Sequence, residues 1–253
     1  MEYVIHLAVM SAIYAILGMS LNLVVGYAGL LSVTHAAFYG IGAYAVGILM
    51  VSHGYGFFGA TVVGMACAAV AAWFIGIVSG RFKGDYYALV SFGFNIIVFS
   101  IFLNVQSITR GPLGIPGIPK PEIFGAAIRT NGQFLLLSIA FALATYAVSQ
   151  WVVTSSFGRA LKGIREDEDA LKVFGYDTAR YKRIVFMIAA MLAAVAGSLF
   201  ASYISYIDPS TFSLNESIFI LSLVILGGLA NVNGSVFGAI FFILLPEILR
   251  FVG

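Results

Sequence analysis

An all-α, polytopic transmembrane bundle of about eight segments is the fold class this sequence predicts, and three observations carry it. Hydrophobic residues make up 61% of the 253 and charged residues 9%, with a mean hydropathy of +1.01. Soluble domains carry about a quarter charged residues. Charge is also confined to blocks: after Glu2 no Asp, Glu, Lys or Arg occurs until Arg81. Finally, two apolar stretches are interrupted by glycine in a way straight spanning helices do not require, which adds re-entrant or broken helices to the expected bundle.

Taken in order, residues 3–80 accommodate three crossings, since each needs roughly 20 apolar residues. Charge-free runs at 86–109, 130–158, 184–207 and 217–246 each hold at least one further helix. The chain reads as one transmembrane domain, 1–253. No Lys or Arg precedes the apolar stretch from Tyr3 to Val25, so it reads as a retained span and not as a cleaved signal. Small residues recur at helical spacing, as in Gly40, Ala43 and Gly47, or Gly64, Ala68 and Ala72. Such faces let helix backbones approach closely and are expected to pack against other spans or a partner subunit.

Orientation follows from the positive residues, which accumulate on the cytoplasmic side. Arg159, Lys162, Arg165, Lys172, Arg180, Lys182 and Arg183 lie in one connection, placing 155–183 in the cytoplasm. Counting spans backwards puts the Pro- and Gly-rich segment 105–131 outside, the turn with Arg81, Lys83 and Asp85 inside, and the N-terminus outside.

The first glycine interruption runs from Gly26 to Ser32 and the second from Gly227 to Gly234. Ile218 to Leu226, ahead of the second, rises only about 14 Å at 1.5 Å per residue, half a membrane. Irregular backbone at membrane depth is tolerated only where protein or a water-filled cavity satisfies its polar groups, which points to a pathway. Ordinary tight turns at the membrane surface are the competing reading, and the residues leave both open.

Ser156 to Tyr181 is charged and cannot lie in hydrocarbon. Leu161, Ile164, Leu171 and Phe174 form one apolar stripe at helical spacing, Glu168 and Lys172 make an i,i+4 pair, and Gly175 suits a C-terminal cap. The expectation is a single amphipathic helix of about four turns. Glu166, Asp167, Glu168 and Asp169 in succession would be repelled by an anionic leaflet, so a protein partner suits this surface better than lipid headgroups.

The net charge of +2 with scattered basic residues excludes nucleic-acid binding. Cys67 has no partner for a disulfide or a metal site and reads as a small packing residue. No HExxH pair, Gly-x-Ser-x-Gly elbow or phosphate loop occurs, so no catalytic residue, metal or cofactor is expected, and ATP hydrolysis must come from a partner. Asn22, His35, Asn95 and Asn104 are the polar residues that stand out in apolar runs, where each is either a pathway group or an interhelical hydrogen-bonding group. His6 and His53 sit near span ends, and Asp208 and Glu216 bracket a short outer loop where solvation accounts for them.

The stretch SFGRALKGIREDEDALKVFGYDTARYKRIVF resembles the cytoplasmic coupling loop of the LivM-type permeases of branched-chain amino-acid ABC importers. LNLVVGYAGLLSVTHAAFYGIGAYA, GPLGIPGIP and ILGGLANVNGSVFGAIFFILLPEILR match the same family in the same order. The resemblance implies a bacterial or archaeal inner-membrane permease working by alternating access. Its implied partners are a second related permease, two cytoplasmic ATPase subunits, an extracytoplasmic substrate-binding protein and membrane lipid. Carried onto this chain, it implies Arg159, Arg165, Glu166, Asp167, Glu168 and Gly175 as the coupling surface, and GPLGIPGIP as the docking segment for the binding protein. Asn22, Tyr27, His35, Asn95, Gly227 and Gly228 are the pathway candidates. Members of that family continue past LLPEILR with another apolar span and a short basic tail, whereas this sequence ends at Gly253. Urea, short amides or another small solute are the alternative cargo, and an ATPase-independent secondary transporter is the alternative class.

Overall fold

The computed structural model describes residues 2–79, 85–123, 126–128 and 130–252. The expected turn with Arg81 and Lys83 lies outside the described residues. In chain order the helices are α1 (Glu2–Asn22), extended by one π turn (Leu23–Tyr27), α2 (His35–His53), α3 (Phe57–Ser79) and α4 (Asp85–Asn104). The single turn α5 (Gln106–Thr109) precedes α6 (Asn131–Thr154), α7 (Ser156–Glu166), α8 (Glu168–Val173), α9 (Thr178–Ile204), α10 (Leu214–Gly227) and α11 (Val232–Val252). Two 3-10 turns (Gly111–Leu113 and Pro209–Phe212) and four two-residue strands complete the set: β1 (Ile115–Pro116), β2 (Glu122–Ile123), β3 (Ala126–Ala127) and β4 (Tyr206–Ile207), paired β1 with β4 and β2 with β3, both antiparallel.

Among the described residues seven helices are long and apolar enough to cross a membrane: α1 with its π turn, α2, α3, α4, α6, α9 and α11. The eighth expected segment is α10, whose 14 residues rise about 21 Å. It is short because the chain descends to it from β4 through a 3-10 turn (Pro209–Phe212), with Phe212 wedged among Tyr39, Tyr44 and Phe102. This crossing is therefore broken and not re-entrant.

The core sits where α9 meets α2 and α3. Ala189, Ala190, Ala193, Ala194 and Ala196 are fully buried along α9, and the small side chains bring backbones together where longer ones would hold them apart. The Gly40 and Gly64 faces do pack within the chain, Gly40 under Phe102 and Phe212 and Gly64 against Gly42 and Ala45. Cys67 instead faces out of the bundle.

Two ends of the bundle are distinct. Asn131 Nδ2 donates to Glu2 Oε2 at 2.6 Å and Tyr3 donates to Glu247, so the N-terminus, the Pro/Gly-rich segment and the end of α11 share one end. That segment is packed and not free: Ile115 and Ile118 are buried and both approach Gly47, while Pro112, Leu113, Pro116 and Pro119 face outward. Helices α7 and α8 occupy the opposite end.

The expected four-turn helix is two helices. The chain turns extended at Asp167 (φ −152°, ψ 98°), whose carboxylate accepts from the backbone N–H of Asp169 and Ala170, both at 3.0 Å. An aspartate that caps a new helix outcompetes continuation of the old one, because its side chain supplies the acceptor that orphan N–H groups need. The apolar stripe breaks with it: Leu161 and Ile164 are buried, but Phe174 is 79% exposed.

Candidate functional site

The two glycine interruptions, 200 residues apart in sequence, meet under helices α7 and α8. Asn22, on the last turn of α1 and fully buried, joins them. Its Nδ2 donates to Asn231 O at 2.8 Å and Ser235 Oγ at 2.7 Å, and its Oδ1 accepts from Ala230 N at 2.9 Å. One amide thus bonds two backbone groups of the turn between α10 and α11 and one hydroxyl on the first turn of α11, the accounting that buried backbone demands. Gly26 lies one turn further on, and a methyl group there would overlap both the Asn22 amide oxygen and Ala230 N. Glycine is required here by close approach, not by dihedral angle.

Ala230 adopts the left-handed conformation at φ +59°, which costs a non-glycine residue roughly 1–2 kcal/mol. The hydrogen bond from its N–H to Asn22 holds it in place. Gly227 and Gly228 end α10, with Gly227 pressed against the backbone of Gly234. In the segment that follows the π turn Ala28, Leu30, Ser32 and Thr34 are buried while Gly29 and Leu31 are exposed, and Ser32 and Thr34 bond to one another at 2.8 Å.

Helix α7 docks on this junction. Arg165 Nη1 donates to the Gly26 carbonyl at 2.6 Å, taking an acceptor that the π turn leaves free. Lys162 Nζ stands 5.6 Å from the centre of the Tyr27 ring, within cation–π range, and the Tyr27 hydroxyl meets the Val232 backbone at the start of α11. Of the residues implied as the coupling surface, Arg159, Glu166 and Asp167 are exposed, and Gly175 is the exposed left-handed cap (φ +83°) after α8. Arg165 is turned to the junction.

Glu168 is turned inward as well. It accepts from Lys182 Nζ at 2.5 Å and Thr178 Oγ1 at 2.9 Å, and pairs with Lys172 at 3.2 Å. Burial raises its pKa, but the hydrogen bonds and charge of Lys182, with Thr178 and Lys172, outweigh burial and hold the carboxyl below its ordinary value. Lys182 is itself buried, at 4% exposure, so this pair latches α8 onto α9. Lys182 was legible only as a topology-setting charge. Its place one turn after Thr178 was the signal that both face Glu168.

The remaining pathway candidates lie apart from the junction. His35 starts α2, fully buried, with Nε2 3.0 Å from Ser20 Oγ. Because the Ser20 hydroxyl donates to Leu17 O at 2.8 Å, Nε2 carries the proton, and Nδ1 has no partner among the described residues. Asn95, midway along α4, accepts from Ser217 Oγ at 3.4 Å while its Nδ2 is unpartnered among the described residues. Glu216 is not a solvated loop residue. It belongs to α10 and accepts from Tyr14 OH at 2.7 Å, halfway along α1. The Asp208-Pro209 turn beside it in sequence concealed this.

Long apolar helices, interrupted backbone packed between them and a charged helix pair fastened to that backbone define a multi-pass membrane protein. The chain belongs to the family described as branched-chain amino acid transport system / permease component, whose model matches residues 3–253. It is 33% identical over 270 residues to the high-affinity branched-chain amino acid transport system permease protein LivM of Escherichia coli K12, covering 97% of this chain and 63% of that protein. It is also 28% identical over 250 residues to the corresponding LivH of the same organism, covering 90% of this chain and 78% of that one. The probable LivM of Methanocaldococcus jannaschii is 24% identical over 271 residues, covering 94% and 78%. This chain therefore spans less than two thirds of the length of the E. coli LivM it matches. No solved structure matches it.

Proposed function

We propose that this chain serves as the membrane-spanning permease subunit of an ATP-driven importer for branched-chain amino acids in a bacterial or archaeal inner membrane. It would pair with a second, related permease, receive substrate from an extracytoplasmic binding protein near Pro112, Leu113, Pro116 and Pro119, and borrow its energy from two cytoplasmic ATPase subunits.

The observation that supports the reading most is the bond from Arg165 to the Gly26 carbonyl, continued by Asn22 into the turn before α11. In this reading the exposed Arg159, Glu166 and Asp167 meet the ATPase. Closure of the ATPase moves α7, and α7 carries the two interrupted segments with it, opening the bundle to the cytoplasm. Small-residue packing along α2 and α9 keeps the rest of the bundle rigid, as a lever requires.

The test is uptake of radiolabelled leucine into proteoliposomes holding the chain with its genomic-neighbour permease, ATPases and binding protein. The account expects uptake that requires ATP and every partner. Transport of urea or a short amide in place of leucine would overturn the cargo, and uptake that persists without the ATPases would overturn the importer reading.

A further inference from the structure

We propose that the depression between α4 and the start of α10 is a way-station for the carboxylate of the transported solute. The proposal rests on the importer reading above. Asn95, Ile96, Phe99, Ser213, Leu214 and Asn215 line a cavity of about 330 Å³, large enough for a single amino acid.

Its polar chemistry is one-sided. Ser213 precedes the first turn of α10 and makes no side-chain cap. The first N–H groups of a helix have no intrahelical partner and carry the positive end of its dipole. Helix α10 begins mid-bundle, level with Tyr14. The second observation is independent of the helix end. Asn95 is 1% exposed, its Oδ1 is taken by Ser217 Oγ, and its Nδ2 has no partner among the described residues. Whichever way the amide is turned, one of its ends stays unsatisfied, at a cost that a structural asparagine would not normally carry.

Free N–H donors from a half-length helix and an amide donor on one apolar wall are the components of a carboxylate site. Ile96, Phe99 and Leu214 supply the surface for an apolar side chain. Glu216 sits in the same first turn, but its carboxylate is turned away to Tyr14 on α1, leaving the α4 side of the turn to the donors. Ile96 and Asn215 are exposed, so the depression opens on the outer face of the bundle, as a path shared with a second permease would.

The test uses the complete importer in proteoliposomes, with radiolabelled leucine and two variants. Asn95→Leu removes the donor and the unsatisfied amide together, and Asn95→Asp puts a like charge where the carboxylate would sit. Each should cut leucine uptake about tenfold or more, the equivalent of one lost charge-assisted hydrogen bond. The unfolding temperature of Asn95→Leu in detergent should stay level or rise, because an unpaired buried group has been removed. Wild-type uptake by Asn95→Asp would overturn the proposal and leave the importer reading intact. So would uptake that falls in both variants only in step with thermal stability and subunit assembly. A wild-type complex that carries no leucine would overturn the branched-chain amino-acid cargo and this proposal with it.

Discussion

The Arg165 guanidinium and the Gly26 carbonyl, 2.6 Å apart, join a surface helix to backbone buried where α1 ends. Gly26 also lies where the two interrupted segments touch, with no room for a Cβ beside Ala230 N. Gly26→Ala forces the Asn22 amide and Ala230 apart and is expected to lower stability by about 2–3 kcal/mol, the upper range for overpacking. Thermal unfolding of the purified chain in detergent checks this.

Asn22→Leu keeps the volume and removes the amide. Ala230 N then loses its partner, at about 1–3 kcal/mol for the group left unsatisfied, while Asn231 O and Ser235 Oγ still bond to one another. The expected outcome is a chain that inserts but unfolds at a clearly lower temperature, with protease cleavage appearing at 228–231.

Ala230→Gly acts in the opposite direction. It relieves a left-handed alanine, and after the entropy glycine loses on folding the net gain is about 0.5–1 kcal/mol. A small rise in unfolding temperature is expected, and a fall would show that φ +59° carries no strain.

Glu168 and Lys182 should make stability depend on pH in a stated direction. The folded carboxyl is held below its ordinary value, so the latch contributes fully above the unfolded pKa of about 4.3. It is lost as pH falls through the lower folded value. Glu168→Gln should therefore cost about 1–2 kcal/mol near pH 7, and the gap from wild type should close on acidification. Unfolding temperatures of both proteins measured across pH give the answer, and a gap that widens in acid would contradict it.

Much of the bundle was legible because charge-free runs report bilayer thickness directly: the runs at 86–109, 130–158 and 184–207 became α4, α6 and α9. The short α10 was legible from the length of Ile218–Leu226, but the 3-10 turn before it was not, since Phe212 is held by aromatic rings from α2 and α4 that no local pattern announces. Periodicity misread Asp167, because following Leu161 and Ile164 into Leu171 hides the preference of an aspartate for capping. Sign complementarity alone could not say that Glu168 prefers Lys182, 14 residues away, to solvent or to a partner protein. Asn22 and the glycines were readable as candidates. That they form one junction is a property of the packing of α1 against α11.

The most direct measurement is the ratio of leucine transported to ATP hydrolysed by the reconstituted importer, compared between wild type and Arg165→Met. Losing one charged hydrogen bond should leave assembly and ATP hydrolysis in place while the ratio falls about tenfold. An unchanged ratio would contradict the account, since ATPase motion would then reach the interrupted segments without Arg165.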